Sequence, residues 1–436
     1  MATSLTRLGL RTLSQMAGSP SLDRLKLRKP TEKVLYHGTK AGFRTVTAVN
    51  RAFKAIKNLG QPERLPKRGG GELFDLAPTD DQAMILEAIH VFAKEQLRPA
   101  AMAADTAYGA APPLLAQCAE LGITSMGIPE TLGGVGTERS AVTNALIAEA
   151  LAQGDMGLAV ACLAPSAVST ALVLWGTAEQ QATYLGAFAA ETPPPAALAV
   201  QEPTPLFDPF SLQTRARLVN GRYEITGTKS MVPLAASAEL FIVAADIEGH
   251  GPGLLLVESS TAGLAIEEDV SMGLRAAACA RLILDRASVP ATALLGEGRA
   301  EVYAECIQLS RLAWCALATG CAQAALDYLI PYANDRQAFG EPISHRQSVA
   351  FAISNIAIEL DGMRLLTWRA ASLADADKPF AEAAALARRL CADKAAQIGS
   401  DAVQLLGGHG FVKDHPVERW YRDLRAVGVM EGALLL

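Results

Sequence analysis

From Thr79 onward the apolar positions fall at helical spacing. Met84-Ile85, Ile89 and Phe92 recur three to four residues apart, the signature of a helix with one buried face. Thr79 is placed to cap this helix, and Asp80 and Asp81 follow in the first turn, where carboxylates favour a helix N-terminus. Leu114 to Leu121 continues the pattern. A loop carrying Ile128-Pro129-Glu130 and Gly133-Gly134-Val135-Gly136 interrupts it, and helical periodicity returns from Ala141 to about Gly154 and from Ser166 to Leu174.

Between 196 and 300 the period changes. Short β-type runs occupy Ala196–Val200, Thr214–Val219, Tyr223–Thr226, Leu240–Ala245, Leu254–Glu258, Leu264–Glu267 and Arg281–Asp285, separated by Gly, Pro, Asn or Asp. This pattern predicts a small antiparallel barrel or sandwich, with Asn220-Gly221 as a two-residue hairpin turn. Beyond 300, Ala- and Leu-rich helices are expected over roughly 301–335, 345–374, 379–406 and 415–428, which makes a four-helix bundle. Nothing repeats at a fixed period, which argues against a solenoid. The expected architecture is α+β and multidomain: an extension (1–72), an N-terminal helical domain (73–195), a middle β domain (196–300) and a C-terminal helical bundle (301–436).

Charge changes the picture at one end. Residues 1–70 hold 15 Lys or Arg against 3 Asp or Glu, a balance of +12 in a chain whose total is −6, so the remainder carries −18. Within the extension, 41–59 places Phe43, Val46, Val49, Phe53 and Ile56 near one helical face, with Arg44, Arg51, Lys54 and Lys57 largely elsewhere. Such a basic amphipathic helix could lie on an anionic membrane surface, or pack on the body of the protein or a partner subunit. A mitochondrial presequence is a third reading, since residues 1–20 are basic and acid-free. Gly69-Gly70-Gly71 reads as a flexible joint. No apolar run is expected to span a bilayer and no signal peptide is evident, so the expected location is cytoplasmic, peripheral at the membrane if the basic helix binds it, with the mitochondrial matrix as the alternative. The seven cysteines, Cys118, Cys162, Cys279, Cys306, Cys315, Cys321 and Cys391, include no CxxC pair and read as small buried thiols. The six histidines do not cluster at metal-ligand spacing, so no metal is expected, and no nucleic-acid partner is implied.

The last third of the chain carries a more specific signal. Arg336-Gln337-Ala338-Phe339-Gly340-Glu341-Pro342-Ile343 is followed by Gln347, then by Gln404-Leu405-Leu406-Gly407-Gly408-His409-Gly410-Phe411, by Arg422-Asp423, and by Met430-Glu431-Gly432. In that order and spacing these residues resemble the C-terminal domain of the acyl-CoA dehydrogenase flavoprotein family. Upstream, Gly127-Ile128-Pro129-Glu130-Thr131-Leu132-Gly133-Gly134 is similar to the family's PE-x-x-GG turn, and Gly176, Gln180 and Tyr184-Leu185 match the helix entering its middle domain. The resemblance covers roughly residues 73–432.

What the resemblance implies is a dehydrogenation in which a protein base removes the proton beside a thioester and FAD takes the hydride from the next carbon. A carboxylate suits the base, because burial raises its pKa toward the working pH. The family's Glu-Gly near the C-terminus falls on Glu431 and Gly432, and the base's own backbone N–H is expected to hold the thioester oxygen. Relatives that place the base elsewhere use the position of Ser310, which here is no carboxylate. Arg311 matches a family Arg near the thioester end of CoA, and Met430 and Phe207 are placed to narrow the acyl site. By the same resemblance Arg336, Phe339 and Gln347 reach FAD across a subunit interface of a homodimer or homotetramer. Gln404 and Gly408 meet its adenosine-diphosphate end, and Leu198, Gln201, Val232 and Pro233 line the flavin. The acceptor of electrons would be an electron-transferring flavoprotein. His409 reads as structural.

The middle segments depart from the family pattern. Its flavin loop, T-E-P-x-A-G-S-D, here reads Gln201-Glu202-Pro203-Thr204-Pro205-Leu206-Phe207-Asp208, so Phe207 stands in place of serine. Its K-x-W-I-T-N-G reads Lys229-Ser230-Met231-Val232-Pro233-Leu234-Ala235, and Pro233 has neither a side-chain nor a backbone donor for the flavin edge. Only backbone contacts from Val232 or its neighbours could replace that donor. The family's Thr-x-Gln and further helix after Glu-Gly have no counterpart in Ala433-Leu434-Leu435-Leu436. Two rival readings follow: a flavin-poor paralogue that binds acyl-CoA or a partner without catalysis, and a flavin oxidase or monooxygenase, against which Glu431 argues.

Overall fold

The computed structural model describes residues 62–65, 77–136 and 138–432. The amphipathic segment 41–59, the joint at 69–71 and residues 433–436 lie outside the described residues.

The N-terminal part is helical. Helix α1 (Asp80–Phe92) starts where expected: the Thr79 side chain accepts from the Gln82 amide while the Gln82 side chain accepts from the Thr79 amide, a capping box. One π-helical turn joins it to α2 (Arg98–Ala107), and α3 (Pro112–Glu120), α4 (Ala141–Gly154), α5 (Met156–Trp175) and α6 (Ala178–Phe188) follow. Asp155 caps α5, accepting from the Leu158 amide at 3.0 Å. Helix α5 starts ten residues before the expected Ser166 and corrects a second expectation. It is long and apolar enough to cross a membrane by composition alone, yet 67% of its most apolar window is buried inside the protein. Its first two turns, 156–162, are buried on every side and offer no amphipathic period to detect, whereas Leu163, Ser166, Ala167, Thr170 and Leu174 form a partly exposed stripe.

The middle domain is one curled seven-stranded sheet: β1 (Ala196–Ala199), β2 (Arg215–Val219), β3 (Arg222–Val232), β4 (Leu240–Ile247), β5 (Gly251–Glu258), β6 (Leu264–Glu268) and β7 (Ala280–Pro290), of which β4 is almost wholly buried. Strand β5 pairs with β4 antiparallel along its length, from Leu240↔Glu258 to Ile247↔Gly251. On β4's other edge β1 (Ala196↔Leu240) and the start of β2 (Arg215↔Asp246) both run parallel to it, so the sheet is mixed, not purely antiparallel as expected. The parallel pairings join segments well separated in sequence, which local periodicity does not encode. Asn220 (φ +51°) and Gly221 (φ +75°) form the expected hairpin turn between Val219 and Arg222. Strand β3 pairs with β7 across irregularities at Ile225/Gly227 and Lys229/Val232.

Helices return with α7 (Ala300–Asp335), α8 (Gln347–Asp375) and α9 (Ala381–Leu406), and a two-stranded hairpin, β8 (Gln337–Ala338) and β9 (Glu341–Pro342), separates the first two. Where one helix was expected over 415–428 there are two short ones, α10 (Val417–Asp423) and α11 (Ala426–Val429). Three long helices therefore carry this domain, and α4 packs against α7 and α8 beside them. One apolar core, including Leu97, Leu151, Leu317, Met363 and Trp420, runs through both helical parts, while the sheet has its own around Phe241, Leu255 and Leu284. The α4–α7 crossing is close: a Cβ at Gly320 would lie 2.0 Å from the Glu149 carbonyl oxygen. Gly320→Ala is expected to separate the two helices and cost about 1–3 kcal/mol, read by urea denaturation.

Buried ion pairs tie the parts together. Arg422 of α10 forks onto Asp105 of α2 at 2.9 and 3.0 Å, Arg419 meets Asp155 at 2.8 Å, and Asp423 accepts from the Leu274 amide at 2.7 Å. Burial pushes the Asp423 carboxyl up to about 7, with the Asp155 charge adding to it, against the Leu274 amide, Arg422 and Arg419. Its folded pKa lies above its unfolded one, near 4. The stability it contributes is therefore complete below about pH 4 and lost as pH rises through 7. Asp423→Asn should flatten that decline, so that between pH 5 and 7.5 the wild-type melting temperature falls by a few degrees relative to the variant's.

Candidate active site

The site is built where the C-terminal segment meets α7 and α9. Helix α11 ends at Val429, Met430 is extended (ψ 142°), and Glu431 (φ +52°) and Gly432 (φ +107°) adopt left-handed backbone. For a glutamate this conformation costs of order 1–3 kcal/mol and must be held by its surroundings. Arg311 Nη2 on α7 donates to the Glu431 carbonyl at 2.9 Å, and Arg388 Nη2 on α9 donates to the carbonyls of Met430 and Gly432. The Glu431 side chain is buried, and its Oε2 has no hydrogen-bond partner among the described residues. Burial raises its carboxyl above the ordinary carboxylate range, while the Arg388 charge, the Trp314 and Ser310 side chains and Arg311 oppose the shift. Ser310, where relatives can carry the base, thus stands beside Glu431 as a neutral neighbour.

Gly432 is required by space as well as by backbone. A Cβ there would lie 2.6 Å from Pro209 Cδ and 3.1 Å from the Phe207 carbonyl oxygen. Gly432→Ala should displace Glu431, lowering turnover at least tenfold and costing about 1–3 kcal/mol of stability, read by kinetics and urea denaturation on the same protein. Tyr303 of α7 donates to the Pro209 carbonyl, and its ring meets Phe210 edge-on at 5.8 Å, so α7 also anchors the 203–213 loop. Two expectations change here. The Phe207 side chain packs in the sheet's core, leaving only its carbonyl at Gly432, and Met430 packs in the helical core. Leu206, exposed and at φ +52°, redirects the chain just before Phe207.

The expected flavin segments lie side by side. The Ser230 amide donates to the Gln201 carbonyl at 2.9 Å. Gln201 is 9% exposed, and its Oε1 is buried without a partner among the described residues. Beneath them Lys229 Nζ, 0% exposed, donates to Glu202 Oε1 at 2.8 Å and to the Val200 carbonyl at 3.2 Å, and Glu202 also accepts from the amides of Gln213 (2.7 Å) and Thr214 (2.9 Å). Burial lowers the Lys229 ammonium to about 8, against the pull of Glu202. Glu202 sits below the carboxylate range: burial alone would raise it, and Lys229 with the Gln213 and Thr214 donors overrides that. Leu198 is half-buried on β1 opposite Ile242, and Val232 is buried at the end of β3. Around Pro233, Met231 donates its amide to Asp269 (2.9 Å) and Leu234 to the Ala277 carbonyl (3.0 Å). Neither neighbour's N–H is free, and Val232 itself pairs with Ala280 of β7.

The remaining expected cofactor residues lie elsewhere. Arg336, Phe339, Gln347, Gln404 and Gly408 are all exposed, Phe339 at 96% and in left-handed backbone (φ +55°). Tyr332, near the end of α7, joins the two groups by donating to the Leu406 carbonyl (3.4 Å) and meeting His409 Nδ1 at 2.8 Å. Arg311 and Tyr332 stand on one helix, 21 residues and so about 32 Å apart. His409 stacks on His415 at 5.4 Å, and among the described residues no cluster could hold a metal. Sequence reasoning gave no role to Glu202, Lys229, Trp314 or Arg388.

The three domains of one family match this chain in order: acyl-CoA dehydrogenase N-terminal domain at 79–192, middle domain at 197–287 and C-terminal domain at 297–434. The bovine mitochondrial short-chain specific acyl-CoA dehydrogenase is 32% identical over 80% of this chain and 86% of its own. The chain belongs to the acyl-CoA dehydrogenase family. Butyryl-CoA dehydrogenase from Megasphaera elsdenii superposes with a TM-score of 0.76 at 28% identity, covering 82% of this chain and 96% of that one. A chain solved in work on the electron transferring flavoprotein of Acidaminococcus fermentans and flavin-based electron bifurcation gives 0.76 at 30% identity, over the same shares. Acyl-CoA dehydrogenases are FAD-dependent oxidoreductases, and this one is of that kind. Its residues fit the cofactor: the unpaired acceptor on buried Gln201 calls for a donor, and a flavin ring brings an imide N–H.

Proposed function

We propose that this acyl-CoA dehydrogenase oxidises a short saturated acyl-CoA to its trans-2-enoyl-CoA, with Glu431 as the base. The observation that carries the reading is the buried Glu431 carboxylate, with Oε2 unpaired among the described residues, on a backbone fixed by two arginines. Burial keeps it basic enough to accept the α-proton near neutral pH. The Glu431 amide has no acceptor among the described residues and is the donor for the thioester oxygen, where enolate charge develops. Bound FAD would supply the two-electron acceptor for the β-hydrogen. Gln201 and Val232 would hold the flavin ring, and the Glu202–Lys229 pair keeps their two segments in register.

The second residue group, about 30 Å along α7 from the base, supports a homodimer or homotetramer in which Arg336, Phe339, Gln347, Gln404 and Gly408 serve a neighbouring copy's FAD. A short chain length is supported by the short-chain and butyryl-CoA enzymes it resembles, and reoxidation is assigned to an electron-transferring flavoprotein. The mitochondrial relative favours the matrix as compartment, with the basic extension as presequence or membrane contact. The test is turnover of a C4 to C16 acyl-CoA series with a flavoprotein acceptor, following enoyl-CoA formation. The reading expects the largest kcat/KM at C4–C6, and no enoyl product at any length would refute it.

A further inference from the structure

Arg388 lies in the third turn of α9, 3% exposed, 42 and 44 residues from the two carbonyls it binds. Those carbonyls, of Met430 and Gly432, flank the base, and Arg311 takes the carbonyl between them. Three successive carbonyls are thereby held by two guanidiniums from different helices, while the Glu431 amide and Oε2 find no partner among the described residues. Arg388 Nη1 is also buried and unpaired among the described residues. A residue needed only to hold two carbonyls would not require a second buried, unpaired charged arm, because leaving one unsatisfied is costly.

We propose that Arg388 is a positioning residue for the base: it fixes the backbone on both sides of Glu431 and supplies the buried positive charge that keeps the carboxylate ionised. The inference rests on Glu431 being the base. The groups facing Glu431 can be enumerated. Helix α9 contributes Arg388. Helix α7 contributes Arg311, the donors Ser310 and Trp314, and Tyr303 and Cys306, both of which burial keeps protonated. The 203–213 loop contributes Asp208, which faces Arg311 and Tyr303. Two cations therefore balance the carboxylates, and removing one leaves Arg311 alone against them. Arginine suits the task because Nη2 alone holds both carbonyls while the guanidinium remains charged in a desolvated setting.

The test is the titration of Glu431 in FAD-loaded enzyme without substrate, followed by difference infrared spectroscopy of the protonated carboxyl band. That band is assigned by its absence in Glu431→Gln. Arg388→Gln, still a donor but neutral, should raise the midpoint by about one pH unit or more. Arg388→Lys, which keeps the charge, should titrate close to wild type. An unmoved midpoint in Arg388→Gln would overturn the proposal and leave Arg388 a structural residue, as would a midpoint in Arg388→Lys that moves as far as in Arg388→Gln. The infrared readout needs no turnover, so an enzyme that fails to oxidise any acyl-CoA sinks the dehydrogenase reading without deciding this one.

Discussion

Glu431→Gln should slow anaerobic bleaching of the flavin by a saturated acyl-CoA by about 10²–10⁴-fold, the usual contribution of a general base, while FAD content stays unchanged. The substitution is nearly isosteric, so the left-handed backbone and its two arginine contacts persist. Oε2 has no partner to lose, and a buried carboxylate carries a desolvation cost that an amide lacks. Against that, buried Arg388 loses this counter-charge, so the melting temperature should fall by a few degrees at most. Stopped-flow absorbance measures the rate, and a variant bleaching at the wild-type rate would remove Glu431 from the role.

The largest expected effect on stability comes from the pair under the flavin segments. Lys229→Met leaves Glu202 buried among two amide donors with no counter-charge, and Glu202→Gln leaves an ammonium with no exposed surface. Each single change should cost about 3–5 kcal/mol in urea unfolding, whereas the double variant recovers much of the loss, because a neutral pair no longer pays for burying charge. The singles should also lose FAD affinity, since Lys229 binds the Val200 carbonyl just before Gln201. Additive losses in the double variant would show that the two residues act separately. On the acid side the sign is fixed by Glu202, whose folded pKa is depressed. Its contribution is complete above the ordinary carboxylate pKa, about 4.3, and is lost as pH falls through the folded value.

The parts legible in the sequence are those specified by local pattern. The Thr79 cap, α4, the Asn220-Gly221 turn and the long Ala-rich helices each announce themselves within a few residues, and the structure has them there. The first turns of α5 escape the pattern because burial on all sides of 156–162 erases the period on which such readings depend, while the partly exposed stripe from Leu163 to Leu174 keeps it. The parallel pairings of β4 depend on segments about 30 to 45 residues apart, and the break between α10 and α11 accompanies packing against α9. The candidate site divides in the same way. Glu431, Gly432 and Arg311 come together as their register implied. Phe207 turned inward because a left-handed Leu206 and the sheet core decide its direction, not its place in a loop. Arg388 was invisible because it acts on backbone carbonyls, which leave no residue-type signature in the segment they belong to.

The most direct test of the central claim is one anaerobic absorption titration of the FAD-loaded enzyme with butyryl-CoA. The account predicts loss of the two-peaked flavin spectrum at about one equivalent of substrate, with crotonyl-CoA as the product. A flavin spectrum left unchanged by butyryl-CoA and by its longer homologues would contradict it.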